Sequence, residues 1–153
     1  MDEIRFYHLK STSVQRALLP LLERVLERNW RAVILTGSKE RVEALNGYLW
    51  TYADRSFLPH GSAMDGNPSH HPIWLTDVWE NPNCSNVVFL EDGAKIMDNT
   101  MFNLCCELFD GNDLSAVELA QQHWKDYLGF ATKVSYWQQT LSGNWELNEM
   151  SKA

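Results

Sequence analysis

The sequence predicts a layered α/β domain built on a mostly parallel central sheet. Short apolar runs alternate with longer stretches of helical periodicity along the chain. One run, Ala32 to Thr36 (AVILT), is continuously apolar, as a strand covered on both faces must be. The length of 153 residues suits one domain with a core of its own.

Ile4 to Leu9, rich in aromatic and aliphatic residues, predicts the first strand. Ser13 then caps a helix whose apolar residues Val14, Ala17, Leu18, Leu21, Leu22, Val25 and Leu26 recur at helical spacing, with Pro20 expected to kink it or loosen its first turns. After the AVILT strand, Gly37-Ser38 turns the chain into a second helix, which Ser38 caps and whose inward stripe is Val42, Leu45 and Leu49. Asp54 to about Pro72 is polar and rich in Gly, Pro and His, which predicts a long loop. Ile73 to Leu75 and Val87 to Leu90 are strand candidates separated by the turn-rich ENPNCSN, while Asn103 to Phe109 fits a strand or a short helix equally. Asp113 caps a third long helix with the stripe Leu114, Val117, Trp124 and Leu128. Val134 to Gln138 is expected to be the last strand, which gives a single domain over residues 1–141 and a polar C-terminal tail over 142–153.

Bulk properties exclude several classes. A formal charge of -7 argues against broad nucleic-acid binding, which needs clustered Lys and Arg. No apolar run approaches the roughly 20 residues that span a bilayer, and the N-terminus lacks a signal-peptide pattern, so no membrane association is expected. Three cysteines, two of them adjacent (Cys105 and Cys106), make a disulfide framework improbable and point to a reducing, cytoplasmic setting.

LTGSKER (Leu35 to Arg41) opens a helix after a strand but lacks the spacer and second glycine of a P-loop, so a Gly turn with a Ser cap explains it. Glu91-Asp92-Gly93 closes the VVFL strand, where α/β folds tend to place ligands; with Asp54, Asp65 and Asp77 it is the best candidate for a metal- or nucleotide-dependent enzyme. His60, His70, His71 and Cys84 match no compact zinc pattern. No metal and no cofactor is therefore expected. Aromatic residues offer more. Trp124, flanked by Gln121 and Lys125, is either a partly buried core residue or the wall of a niche suited to an acidic peptide with an apolar end. Trp50, in the aromatic run YLWTY, divides evenly between core and interface.

Several segments, in order along nearly the whole chain, resemble the chi subunit of bacterial DNA polymerase III holoenzyme, in its alphaproteobacterial form. They are FYHL (Phe6 to Leu9), GSKERVEALNGYLWTY (Gly37 to Tyr52), SFLPHG (Ser56 to Gly61), NPN, CELFDG (Cys106 to Gly111) and YWQQT (Tyr136 to Thr140). The resemblance implies a three-layer, Rossmann-like fold and a non-catalytic accessory subunit of the clamp-loader complex. Such subunits grip the acidic, Phe-terminated C-terminal tail of single-stranded-DNA-binding protein and bind a small psi-type subunit through a separate surface. Carried over, the tail site falls on Gln121, Trp124 and Lys125, and the psi-type surface includes Trp50 and Phe57. The chain departs from the family pattern at Gln121, where better-known members carry an arginine, and at His123 and Leu128, which replace basic residues; Lys125 and Lys133 are the cations left for a carboxylate. Two competing readings stay open: an enzyme using the Glu91-Asp92 strand end, and a scaffold for a helicase or repair protein docking on Trp50 and Phe57.

Overall fold

A computed structural model describes residues 1–52 and 58–152. Eight strands and three helices follow one another: β1 (Glu3–Leu9), α1 (Val14–Glu27), β2 (Ala32–Leu35), α2 (Lys39–Tyr52), β3 (His60–Ser62), β4 (Ile73–Thr76), β5 (Val87–Leu90), β6 (Leu104–Asp110), α3 (Leu114–Tyr127), β7 (Lys133–Gln139) and β8 (Trp145–Lys152). The strands form one mostly parallel sheet in the order β3-β4-β2-β5-β6-β1-β7-β8. Every neighbouring pair is parallel except β7 and β8.

Side chains alternate across each strand, so a sheet covered on both faces has two cores. On one face Ala32 and Ile34 of β2 pack with Leu18, Leu22 and Val25 of α1 and with Leu45 and Leu49 of α2. On the other, Val33 and Leu35 pack with Phe6, Val88, Ala120 and Tyr127, the last two from α3. The AVILT segment is thus buried from Ala32 to Thr36, as its unbroken apolarity requires.

Caps stand where the sequence puts them. The Ser13 hydroxyl accepts from Arg16 N at 3.3 Å, Ser38 from Arg41 N at 3.2 Å, and Asp113 from Ser115 N at 3.0 Å. Helix α1 runs through Pro20 without interruption from Val14 to Glu27. Gly37 is required at the β2–α2 turn because a Cβ there would lie 2.1 Å from the Asp92 carbonyl oxygen.

Four expectations change. Asn103 to Phe109 resolves as strand β6, paired with both β5 and β1. The segment read as a loop up to Pro72 contains β3, paired with β4 at the sheet edge, and a 3-10 turn over Pro68–His70. Most of the stretch read as a polar tail is strand β8. A hairpin through Gly143 (φ 90°) lays it antiparallel on β7, and Trp145 packs edge-on against Tyr7 at 5.0 Å. Its polarity reflects solvent on an edge strand, since only Trp145 and Ser151 among its residues 145–151 are even half-buried. Finally, α3 turns Ala120, His123 and Tyr127 inward, while Leu114 and Leu128 are 80% and 46% exposed.

One polar residue fastens the β1–α1 connection. Gln139, 4% exposed at the end of β7, accepts from the backbone N–H groups of Lys10, Ser11 and Thr12 and donates to the Thr12 hydroxyl at 3.0 Å.

Candidate functional site

The inward face of α3 is held by a buried polar triad. Glu107 of β6 accepts from His123 Nδ1 at 2.9 Å and from the Tyr127 hydroxyl at 3.2 Å, while the same hydroxyl accepts from Ile96 N at 3.0 Å. Burial pushes the Glu107 carboxyl above the ordinary carboxylate range, and the hydrogen bond and charge of His123 pull against it. Satisfying three groups inside an apolar layer fixes the rotation of the helix about its axis.

That rotation aims the neighbouring stripe, Val117, Gln121, Trp124 and Leu128, into a groove of about 540 Å³ beside the sheet edge. The opposite wall comes from His8 of β1, Tyr136 and Gln138 of β7, and Asn148 and Glu149 of β8, with Lys125 at the rim. Trp124 is half-buried, edge-on to Phe6 at 5.6 Å and to Tyr136 at 6.0 Å. Its inner edge packs against the core and its outer part lines the groove.

The polar members are ordered by one another. Tyr136 Oη lies 2.6 Å from His8 Nδ1, and Asn148 donates to Gln138 Oε1 at 3.0 Å. Burial first, then the charge of Lys10, holds His8 below the usual imidazole range, and its Nδ1 shares a hydrogen bond with the Tyr136 hydroxyl. Burial also pushes the Tyr136 hydroxyl up to about 12. Gly111 makes room for this arrangement: a Cβ there would lie 2.2 Å from the His8 ring and 2.4 Å from the Leu9 carbonyl oxygen.

Gln121, Trp124 and Lys125 line one groove, but Lys133 stands apart from them. Its ammonium is 3.9 Å from Glu3, at the far end of β7. Glu149 faces the groove as well, so one lysine and one glutamate share its lining. His8, Tyr136 and Gln138 went unassigned although FYHL and YWQQT contain them; their signal was the resemblance of those segments. Asn148 and Glu149 gave no signal, because the strand that presents them reads as a tail.

Other candidates separate. Trp50 is 52% exposed at the end of α2, its ring 4.8 Å from that of His60; Phe57 lies outside the described residues, as does Asp54. Glu91, 3% exposed, accepts from Arg41 Nε at 3.1 Å through both oxygens, and Asp65 accepts from Ser62 N. Among the described residues no three His, Cys, Asp or Glu side chains converge to hold a metal ion. The three cysteines are free, Cys84 exposed and the adjacent pair buried. Among the described residues no helix is long and apolar enough to cross a membrane.

Comparison with known proteins points one way. Residues 1–133 match the family model described as DNA polymerase III chi subunit, HolC. Over 100 residues the chain is 38% identical to a protein of Rickettsia prowazekii (strain Madrid E) named "Probable DNA polymerase III subunit chi". That stretch is 63% of this chain and 61% of the relative, so the match spans about three fifths of the relative's length.

Proposed function

The chain belongs to the DNA polymerase III chi subunit family, and on that premise we propose that it is a non-catalytic accessory subunit of the clamp-loader complex that holds the acidic C-terminal tail of single-stranded-DNA-binding protein in the α3 groove. The observation that carries this reading is the meeting of half-buried Trp124 with the rim cation Lys125 in one open groove. An aromatic side chain ending an acidic tail would bury against Trp124, Val117 and Leu128, and its terminal carboxylate would meet the Lys125 ammonium. Gln121 offers a neutral amide where an arginine would give a charge-assisted, two-pronged donor, a difference of about 1.5–3 kcal/mol for such a bond. Binding should therefore be modest in strength.

A titration tests this with a labelled peptide carrying the acidic tail of the single-stranded-DNA-binding protein of the same organism. Wild type binds at low ionic strength and Lys125→Ala weakens it. Absence of binding at low ionic strength refutes the reading. A second surface, around exposed Trp50, is proposed to receive a psi-type subunit. Capture of such a subunit should fall with Trp50→Ala, and equal capture by wild type and variant counts against it.

A further inference from the structure

A second groove on the molecule has a chemistry of its own. Of the seven arginines in the sequence, Arg31 and Arg41 are occupied by structure: Arg31 donates to the carbonyls of Ser69, His71 and Asn83, and Arg41 grips Glu91. Four of the others line two clefts that run along one side of α1 on the opposite face from α3. The larger, about 430 Å³, is floored by Tyr7, Ala17, Leu21 and Trp145 and rimmed by Arg16 and Arg24. The smaller, about 90 Å³, is floored by Val25, Phe89 and Cys106 and flanked by Arg5, Arg24 and Arg28. Tyr7, Leu21 and Arg24 belong to both, so the two form one trough.

Among the described residues no Asp or Glu lines either cleft. Arg5 is neutralised by Glu3 at 2.7 Å, but Arg16, Arg24 and Arg28 make no ion pair among the described residues, and all three are exposed. In a chain of net charge -7 this is a local concentration of unspent guanidinium charge over an apolar floor.

We propose that the α1 trough is a docking surface for an acidic peptide segment of a partner protein, with one bulky apolar side chain seated between Leu21 and Trp145 and carboxylates on Arg16, Arg24 and Arg28. Charge complementarity selects an anionic occupant, and the shape selects a peptide over a nucleic acid. Base stacking needs open ring faces. Here Trp145 meets Tyr7 edge-on at 5.0 Å, Tyr7 is 8% exposed, and Arg28 sits over the Trp30 ring at 5.7 Å. What the floor offers is a pit, and the larger cleft has the volume for an aromatic or large aliphatic side chain. A polyanion would also feel the acidic whole of the molecule over many phosphates, whereas a short peptide presents only a few charges to it. The α1 trough shares no lining residue with the α3 groove.

The test uses a fluorescein-labelled twelve-residue peptide of aspartates around a single phenylalanine, titrated by anisotropy at low ionic strength. The same sequence with serine for phenylalanine and a twenty-nucleotide oligothymidine are run beside it. All titrations are repeated in the Lys125→Ala background, which separates this surface from the α3 groove. In that background Arg24→Gln with Arg28→Gln should weaken the phenylalanine peptide about tenfold or more, from the loss of two charge-assisted contacts. The serine peptide should bind more weakly than its parent. Undiminished binding by the double arginine variant overturns the proposal. Binding of oligothymidine without binding of the peptide overturns it too. Both arginines are exposed, and equal melting temperatures of variant and parent would exclude misfolding.

Discussion

Truncating Glu107 to alanine should unsettle α3 more than any other single change on that face of the sheet. The substitution leaves two buried donors without acceptors, His123 Nδ1–H and the Tyr127 hydroxyl, now 2.9 and 3.2 Å from the carboxylate. Each stranded group costs about 1–3 kcal/mol, so the pair costs about 2–6 kcal/mol before any cavity term. Against a total stability of about 5–15 kcal/mol this is a large fraction. At about 2–4 °C per kcal/mol, the melting temperature should fall by about 5–20 °C. Glu107→Gln is the control: one amide can serve both partners if His123 changes tautomer, and its cost should stay near 1–2 kcal/mol. The pH dependence separates the two forms further. Burial raises the folded-state pKa of Glu107 above its unfolded value. The stability this group contributes is therefore fully present below the unfolded value and is lost as pH rises through the folded one. The gap between wild type and Glu107→Gln should accordingly narrow from pH 4 upward. Calorimetric or circular-dichroism melts across that range measure both effects. An alanine variant melting within about 2 °C of wild type would refute the idea that the triad holds the helix.

Three further outcomes can be checked. Arg41→Ala leaves Glu91, 3% exposed, without its partner and should cost about 2–4 kcal/mol in urea unfolding, somewhat below the range for fully buried pairs because Arg41 reaches solvent. Gly111→Ala forces a Cβ against the His8 ring and the Leu9 carbonyl, so we expect about 1–3 kcal/mol of destabilisation and a displaced His8 imidazole signal in NMR spectra. Protonating His8, whose pKa is depressed, adds a cation to a groove that otherwise holds Lys125. Binding of the tail peptide should strengthen about two- to fivefold from pH 7.5 down to 5.5, and His8→Gln should flatten the profile; a flat wild-type profile counts against His8 as a groove residue.

Most of the fold was legible because the signals were local. Unbroken apolarity marked β2, hydroxyl and carboxyl caps marked the helix starts, and alternating strand and helix lengths marked the parallel sheet. What escaped was decided by neighbours. Strand β8 reads as a tail because an edge strand with its side chains in water needs no apolar alternation; its pairing with β7 and the Trp145–Tyr7 contact are tertiary facts. On α3 two stripes compete. Leu114, Val117, Trp124 and Leu128 carry the hydrophobic signal, whereas the buried stripe includes His123 and Ala120, whose burial is favoured by Glu107 and by closeness to the sheet. Val117 and Trp124 of the hydrophobic stripe pack against the core and also line the groove, while Leu114 and Leu128 stay exposed. For the same reason the Trp124 site was partly visible in sequence, while the β8 wall opposite it was not.

The composition of that groove also says which of its residues should matter more. A lysine and a carboxylate 4 Å apart in water are worth about 1 kcal/mol, and Glu149 on the facing wall subtracts from it. Burying an aromatic side chain against Trp124 is worth about 1.5–3 kcal/mol, little affected by salt. A family member with an arginine at the Gln121 position would shift this balance toward charge. Here the apolar contact should dominate. Trp124→Phe, which keeps the inner packing on Phe6 and Tyr136 while shortening the outer edge, should weaken tail binding more than Lys125→Ala does once salt screens the rim. Titrations of both variants at low and moderate salt decide it. If Lys125→Ala remains the more damaging change at moderate salt, the groove recognises the carboxylate first and the ring second.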